Sequence, residues 1–219
     1  MMASTGRLRQ GFSLYPKSMK EPTLELENTT ADPFEQFRQW FEAYALTKPV
    51  ESSAMILSTA SADGEPSARV VLLKEYNAQG FVFYTNYLSR KGEDLKANPR
   101  AALTFYWEPL RRQIRIVGTI EKVSKEESDK YFASRPTESQ WGAWASEQDK
   151  VLKDREELTA AFTKYQELYP HEVPRPEHWG GYRLKPQRIE FWQARASRLH
   201  DRIEYQWKGG QWNKHRLSP

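Results

Sequence analysis

No cysteine occurs among the 219 residues. That excludes a disulfide framework, a thiolate zinc site, an iron–sulfur cluster and a cysteine nucleophile. Long hydrophobic runs are missing too: Val70-Val71-Leu72-Leu73 and Phe81-Val82-Phe83-Tyr84 fall far short of the ~20 residues that cross a bilayer as a helix. The expectation is a soluble protein, with the cytoplasm as its location and no membrane partner. The 11 glycines form neither G-x-G-x-x-G nor G-x-x-x-x-G-K-[ST], so the common nucleotide cradles are absent. His171, His178, His200 and His215 lack metal-ligand spacing, which speaks against a metal centre, and no G-x-S-x-G marks a serine nucleophile. The formal charge of +4 is too small an excess to argue for a polyanion partner.

What is abundant is aromatic. Eight Trp, 11 Tyr and 10 Phe in a chain only 38% hydrophobic mean that large rings supply much of the buried area, with N–H and O–H groups that need partners. A ring-rich core and a stacking surface for a planar ligand both meet that description.

Residues 1–31 read as a flexible N-terminal arm, and residues 32–219 as a single α+β domain. The first 20 residues carry Arg7, Arg9, Lys17 and Lys20 and no acid, without the amphipathic stripe of a transit peptide. Asp32-Pro33, followed by Phe34, Phe37, Phe41 and Tyr44, combines an N-cap, an N1 proline and helical spacing. Short β-prone runs follow at 54–60, 68–74, 80–85, 101–107 and 113–123, separated by turn residues. Their hairpin-length links predict an antiparallel sheet curled into a barrel. Between them, 89–98 reads as a helix capped by Ser89. Ser124-Lys125-Glu126-Glu127 opens another with a capping box, and 154–169 is a third. Strands resume at 181–184, 188–192, 202–207 and 211–217.

Three clusters carry candidate chemistry. In Arg69-Val70-Val71-Leu72-Leu73-Lys74, two cations bracket an apolar run. A bound anion would remove the cost of burying them, and an edge strand with snorkelling cations meets the pattern equally. Strict alternation puts Arg69 and Lys74 on opposite faces unless the strand bulges or ends near Lys74. Tyr84 and Thr85 then end a strand just before Ser89, Arg90 and Lys91 begin a helix. Cations at a helix start are misplaced unless an anion such as phosphate sits among them. Tyr131 and Arg135 share a helix face, with Ser139 just past Pro136, a donor set suited to a second phosphate monoester. A dense polar knot, Arg198-Leu199-His200-Asp201-Arg202, follows Glu190-Phe191-Trp192-Gln193, with Asp201 expected to pair with Arg202.

These motifs, with Arg112-Gln113, Gly142-Ala143-Trp144, Trp179-Gly180-Gly181 and the closing Arg216-Leu217-Ser218-Pro219, together resemble the pyridoxine (pyridoxamine) 5′-phosphate oxidase family over 32–219. The resemblance implies an FMN-binding split β-barrel with flanking helices, a homodimer, and FMN sites lying across the subunit interface. Carried over by position, FMN would be held by Arg69, Val70, Leu72, Leu73, Lys74, Tyr84, Thr85, Arg90, Lys91, Gln113, Gln148, Trp192 and Arg202. The substrate phosphate would meet Lys74, Tyr131, Arg135 and Ser139, with Arg198 and His200 against the pyridine ring as the catalytic pair. Departures from the pattern are Asp149, where the family commonly has serine and which is left outside the site, and Trp141 in place of a smaller aliphatic residue. Leu8-Arg9-Gln10-Gly11-Phe12 is similar to the family's Leu-Arg-x-x-Tyr arm without the tyrosine hydroxyl, leaving Arg9 as that arm's candidate substrate contact.

The implied activity is oxidation of pyridoxine 5′-phosphate and pyridoxamine 5′-phosphate to pyridoxal 5′-phosphate, with O2 as electron acceptor and H2O2 as product. A non-catalytic split barrel storing FMN or pyridoxal phosphate is the alternative. A nucleic-acid-binding barrel is disfavoured, because most rings lie inside apolar runs rather than beside Lys and Arg on alternate strand positions.

Overall fold

The first helix begins as its capping residues require: the Asp32 carboxylate accepts from the Phe34 N–H at 2.9 Å, and Pro33 takes the first helical position. The computed structural model describes residues 23–219. In chain order the elements are α1 (Pro33–Ala45), β1 (Ala54–Ala60), β2 (Pro66–Leu72), β3 (Glu75–Asn77), β4 (Gly80–Asn86), α2 (Arg90–Ala97), β5 (Arg100–Trp107), β6 (Arg112–Lys122), α3 (Lys125–Ala133), α4 (Thr137–Ala145), α5 (Arg155–Leu168), β7 (Trp179–Gln193), β8 (Asp201–Lys208) and β9 (Gln211–Leu217).

The strands form one curled antiparallel sheet in the order β2-β1-β5-β6-β7-β4-β3, with β8 and β9 branching from β7. β7 carries two of the expected strands in one. Its first half pairs with β4 and its second half with β8. The change of partner coincides with a bulge, where Gly118 opposes Pro186 and Val117 opposes Arg188, leaving Gln187 unmatched. Proline is tolerated at such a point because no ladder hydrogen bond is asked of it. Gly118 is required there, since a Cβ would lie 2.0 Å from the Lys185 carbonyl oxygen.

Alternation along β1 and β5 turns Met55, Leu57, Leu103, Phe105 and Trp107 inward, where α1 adds Phe34, Phe37 and Trp40. Phe37 packs edge to face on Phe81 and Phe105 with centroids 5.0 and 5.3 Å apart, so the core is ring-rich as the composition demands. The outer face of the sheet leaves Ile56, Val70 and Tyr106 exposed. A second aromatic cluster joins Phe132, Trp141 and Trp179 between the helices and the sheet. Trp141 is structural, donating its indole N–H to the Tyr169 carbonyl at 3.0 Å.

Two expectations change. Residues 24–31 are not a free arm: Leu24 and Thr29 are buried, the Tyr205 hydroxyl donates to the Thr30 carbonyl at 2.7 Å, and the Lys214 ammonium donates to the Leu26 and Thr29 carbonyls. The Arg9 and Phe12 motif lies outside the described residues. Ser89 holds the N-cap position of α2 without capping through its side chain, because its hydroxyl donates to the Asn86 carbonyl instead. The α3 capping box is present in full, Ser124 and Glu127 each bonding the other's backbone. Among the described residues no helix is long and apolar enough to cross a membrane.

Candidate functional site

A cavity of about 1170 Å3 runs along the β2 edge of the sheet. It gathers Arg69, Val70, Leu72, Lys74, Tyr84, Thr85, Arg90, Lys91, Tyr131, Arg135, Ser139 and Gln148, so twelve of the expected site residues share one space. β2 ends at Leu72, and Lys74 lies beyond it. This resolves the alternation conflict, because Lys74 is not bound by the strand's two-residue period. Leu73 stands apart: its side chain is buried in the hydrophobic core, and it is not among the residues that line the cavity.

Arg69 is fixed by acceptors from its own sheet. Its guanidinium donates to Thr59 Oγ1 at 2.8 Å and Ser67 Oγ at 2.6 Å, and Thr59 in turn donates to the buried Asp94 carboxylate at 2.6 Å. Burial pushes the Arg69 guanidinium down, partly offset by Asp94. The buried Lys91 ammonium donates to Ser89 Oγ at 2.8 Å, and burial pushes it down as well. Arg90 reaches outward to Glu65 at 2.9 Å, which raises its pKa. At the start of α2, the Arg90 N–H donates to Asp149 Oδ2 at 2.9 Å. Asp149, on sequence grounds an unfavourable neighbour for phosphate, is thus part of the cavity wall.

At the other end of the cavity the rings form a stack. Tyr84 and Tyr131 lie 3.9 Å apart, Tyr84 and Trp179 5.6 Å apart, and the Arg135 guanidinium sits 4.5 Å from the Trp179 ring centroid. Burial pushes the Tyr84 phenol up to about 12, with Glu127 adding to the effect. Arg135 Nη1 is buried with no hydrogen-bond partner, and burial pushes that guanidinium down. A buried guanidinium N–H without an acceptor, on the wall of a cavity, suits an anionic ligand oxygen. In the sequence Trp179 stands out only as part of a motif. Its partners lie 48 and 95 positions away in the chain, so no local pattern could place it.

The remaining expected residues do not line this cavity. Gln113, Trp192 and Arg202 stand in one cross-strand row over β6, β7 and β8. Trp192 packs on His200 with centroids 4.6 Å apart. His200 Nδ1 accepts from the Arg195 N–H at 3.1 Å, and burial followed by Arg111 and Arg198 pushes the imidazole down. Arg198 is exposed in a left-handed backbone at φ 62°, next to Ser197 at φ 54°. The expected Asp201–Arg202 pair is corrected: Asp201 accepts from Arg216 at 2.9 Å and Arg195 at 3.4 Å. Arg202 makes a two-pronged pair with the buried Glu190 at 2.9 and 3.1 Å, because adjacent strand residues face opposite ways and Glu190 lies on its own side of the sheet. β7 bears Trp179 at one end and Trp192 near the other, separated by roughly 40 Å of strand. Among the described residues no group of three acidic or imidazole side chains gathers that would hold a metal.

Residues 35–169 match the family model described as pyridoxamine 5′-phosphate oxidase, and residues 179–219 match the pyridoxine 5′-phosphate oxidase C-terminal dimerisation region. The chain is 54% identical over 204 residues to the pyridoxine/pyridoxamine 5′-phosphate oxidase of Bordetella pertussis, covering 93% of this chain and 97% of that protein. It is 56% identical over 189 residues to the protein of the same name from Actinobacillus pleuropneumoniae serotype 3, covering 86% and 90%. In three dimensions it is similar to PhzG from Burkholderia lata 383, solved in complex with tetrahydrophenazine-1-carboxylic acid, with TM-score 0.85 and 31% identity over 91% of this chain and 99% of that one. By these matches, which together span most of its length, the chain belongs to the pyridoxine/pyridoxamine 5′-phosphate oxidase family, a family of oxidoreductases.

Proposed function

We propose that the protein is an FMN-dependent oxidase that converts pyridoxine 5′-phosphate and pyridoxamine 5′-phosphate to pyridoxal 5′-phosphate, passing the electrons to O2 and releasing H2O2. The observation that carries this reading is the pairing of two cationic clusters on one cavity, Arg69 with Lys91 at one end and Tyr131 with Arg135 and Ser139 at the other. At about 1170 Å3 the cavity exceeds the ~300–1,000 Å3 of a single small-ligand pocket, as cofactor and substrate together require.

Arg69, Lys91 and the start of α2 would hold the FMN phosphate, with Val70, Leu72, Tyr84, Thr85, Arg90 and Gln148 around the rest of the cofactor. FMN supplies, when bound, a two-electron acceptor for the 4′ carbon of the substrate and a donor to O2. Lys74, Tyr131, Arg135 and Ser139 anchor the substrate phosphate, the orphaned Arg135 Nη1 gaining the acceptor it lacks. The protein acts as a homodimer, and Gln113, Trp192, Arg198, His200 and Arg202 serve the same centre from the partner subunit. That assignment is supported by the match of residues 179–219 to a dimerisation region and by the separation of the two clusters along β7. With Nδ1 accepting from the Arg195 N–H, a neutral His200 carries its proton on Nε2, the atom available toward the substrate ring. Holding donor carbon and flavin in register is the protein's main contribution to rate.

The test is optical. Purified protein with visible flavin absorbance is mixed with pyridoxamine 5′-phosphate without air; bleaching, then recovery and peroxide formation on adding O2, is the expected result. Flavin that binds and never bleaches would identify a storage protein instead.

A further inference from the structure

Asp149 brings a negative charge to the place where the cavity's cations converge. It is the third residue of the turn 147–150, closed by the Lys150 N–H donating to the Glu147 carbonyl at 3.0 Å, and it holds a left-handed backbone at φ 71°. Its Oδ2 accepts from the Arg90 N–H at the first residue of α2, on the wall shared with Arg69 and Lys91. Electrostatically it favours the charged forms of both Lys91 and Arg69.

Arg90 and Arg69 also have other acids nearby. Arg90 pairs with Glu65 at 2.9 Å, and Arg69 lies 4.0 Å from Asp94. With Asp149 added, three basic side chains face three carboxylates. A helix N-terminus accepts a carboxylate or a phosphate through the same N–H groups, and the Arg90 N–H cannot serve both at full strength. We propose that Asp149 is a specificity-determining residue for the phosphate group of the cofactor: its carboxylate is an internal anion that a phosphate monoester must displace from α2 and whose charge opposes that phosphate. This inference rests on the proposed use of the cavity by FMN. It concerns the phosphate end alone, so the flavin ring is indifferent to it.

The full-length protein stripped of flavin is titrated with FMN and with riboflavin by fluorescence quenching, as wild type, Asp149→Asn and Asp149→Gly. Asparagine keeps an acceptor for the Arg90 N–H and tolerates the left-handed backbone while losing the charge; glycine removes the side chain and relaxes the turn. Both variants are expected to bind FMN about tenfold more tightly, with riboflavin affinity changed less than about twofold. Inorganic phosphate should compete more strongly with FMN in both. Unchanged or weaker FMN binding in the two variants, or an equal gain for riboflavin, would overturn the inference and leave the oxidase reading intact. Failure of all three proteins to bind FMN would overturn both.

Discussion

The Tyr131 ring lies on the Tyr84 ring with centroids 3.9 Å apart and planes 16° from parallel. One ring comes from the end of β4 and the other from α3, so the strand expected to hold the cofactor and the helix expected to hold the substrate phosphate are joined by one stack. Trp179 extends that stack and carries Arg135 on its face.

Replacing Tyr131 by Phe preserves the stack and removes only the hydroxyl. Stability should change by less than ~1 kcal/mol. The KM for pyridoxamine 5′-phosphate should rise roughly tenfold or more, as for loss of a hydrogen bond to a charged group, with kcat nearly unchanged. Steady-state kinetics beside a thermal melt decides this, and an equal fall in kcat would remove Tyr131 from the binding role.

Gly181 lies beneath the same stack. An added Cβ would meet Val123 Cγ2 at 2.6 Å and Tyr84 Cε1 at 2.8 Å. Gly181→Ala should therefore destabilise by ~1–3 kcal/mol and weaken flavin binding by displacing the Tyr84 ring. Gly142, in the helix α4, has open space where a Cβ would stand, with nothing within 4 Å, so Gly142→Ala should stabilise the flavin-free chain by up to ~1 kcal/mol. Denaturant unfolding of the two variants should move in opposite directions.

Burial pushes the Tyr84 and Tyr182 phenols up to about 12 from an ordinary 10. The folded chain holds these protons more tightly than the unfolded chain, so their contribution to stability is complete below pH 10 and is lost as pH rises toward 12. Urea midpoints measured over that window should fall, and the Tyr182→Phe variant should show a shallower decline. Equal slopes in variant and wild type would contradict the burial argument.

Glu190 keeps only 7% of its side chain exposed, and Arg202 is its nearer partner, with Arg115 at 3.3 Å. Arg202→Ala should cost about 2–3 kcal/mol by leaving a buried carboxylate underpaired, and the double change Arg202→Met with Glu190→Leu should recover most of the loss. A double-mutant cycle on unfolding midpoints reads the coupling directly.

Much of this is legible in the sequence where the governing signal is local. The N-cap and N1 proline of α1, the α3 capping box and the alternation of β1 and β5 each lie within a few residues and reappear in place. α4 is not legible, because Thr137–Ala145 has a weak apolar stripe, an internal glycine and Pro136 at its N-cap with no capping side chain. β3 is only three residues long. Pro186 reads as a strand break and instead marks a bulge within β7. The docking of residues 24–31 depends on Asp201, Tyr205, Lys214 and Arg216, some 175 to 192 positions away. In the site, the basic clusters are legible because cations in apolar or helix-start settings are locally anomalous. Asp149 is legible only as a departure from the family pattern; its place in the cavity wall is not, since that comes with a bond to Arg90 across 59 positions.

The 15-residue β7 strand has a consequence of its own for how subunits cooperate. In the proposed dimer each β7 belongs to two reaction centres, giving Trp179 to one and Trp192 to the other. Chains disabled at Trp192 and chains disabled at Arg135 would each form dead homodimers, yet a hybrid of the two retains one centre built wholly from undamaged parts. Unfolding and refolding an equal mixture should therefore revive about a quarter of wild-type turnover from two inactive stocks.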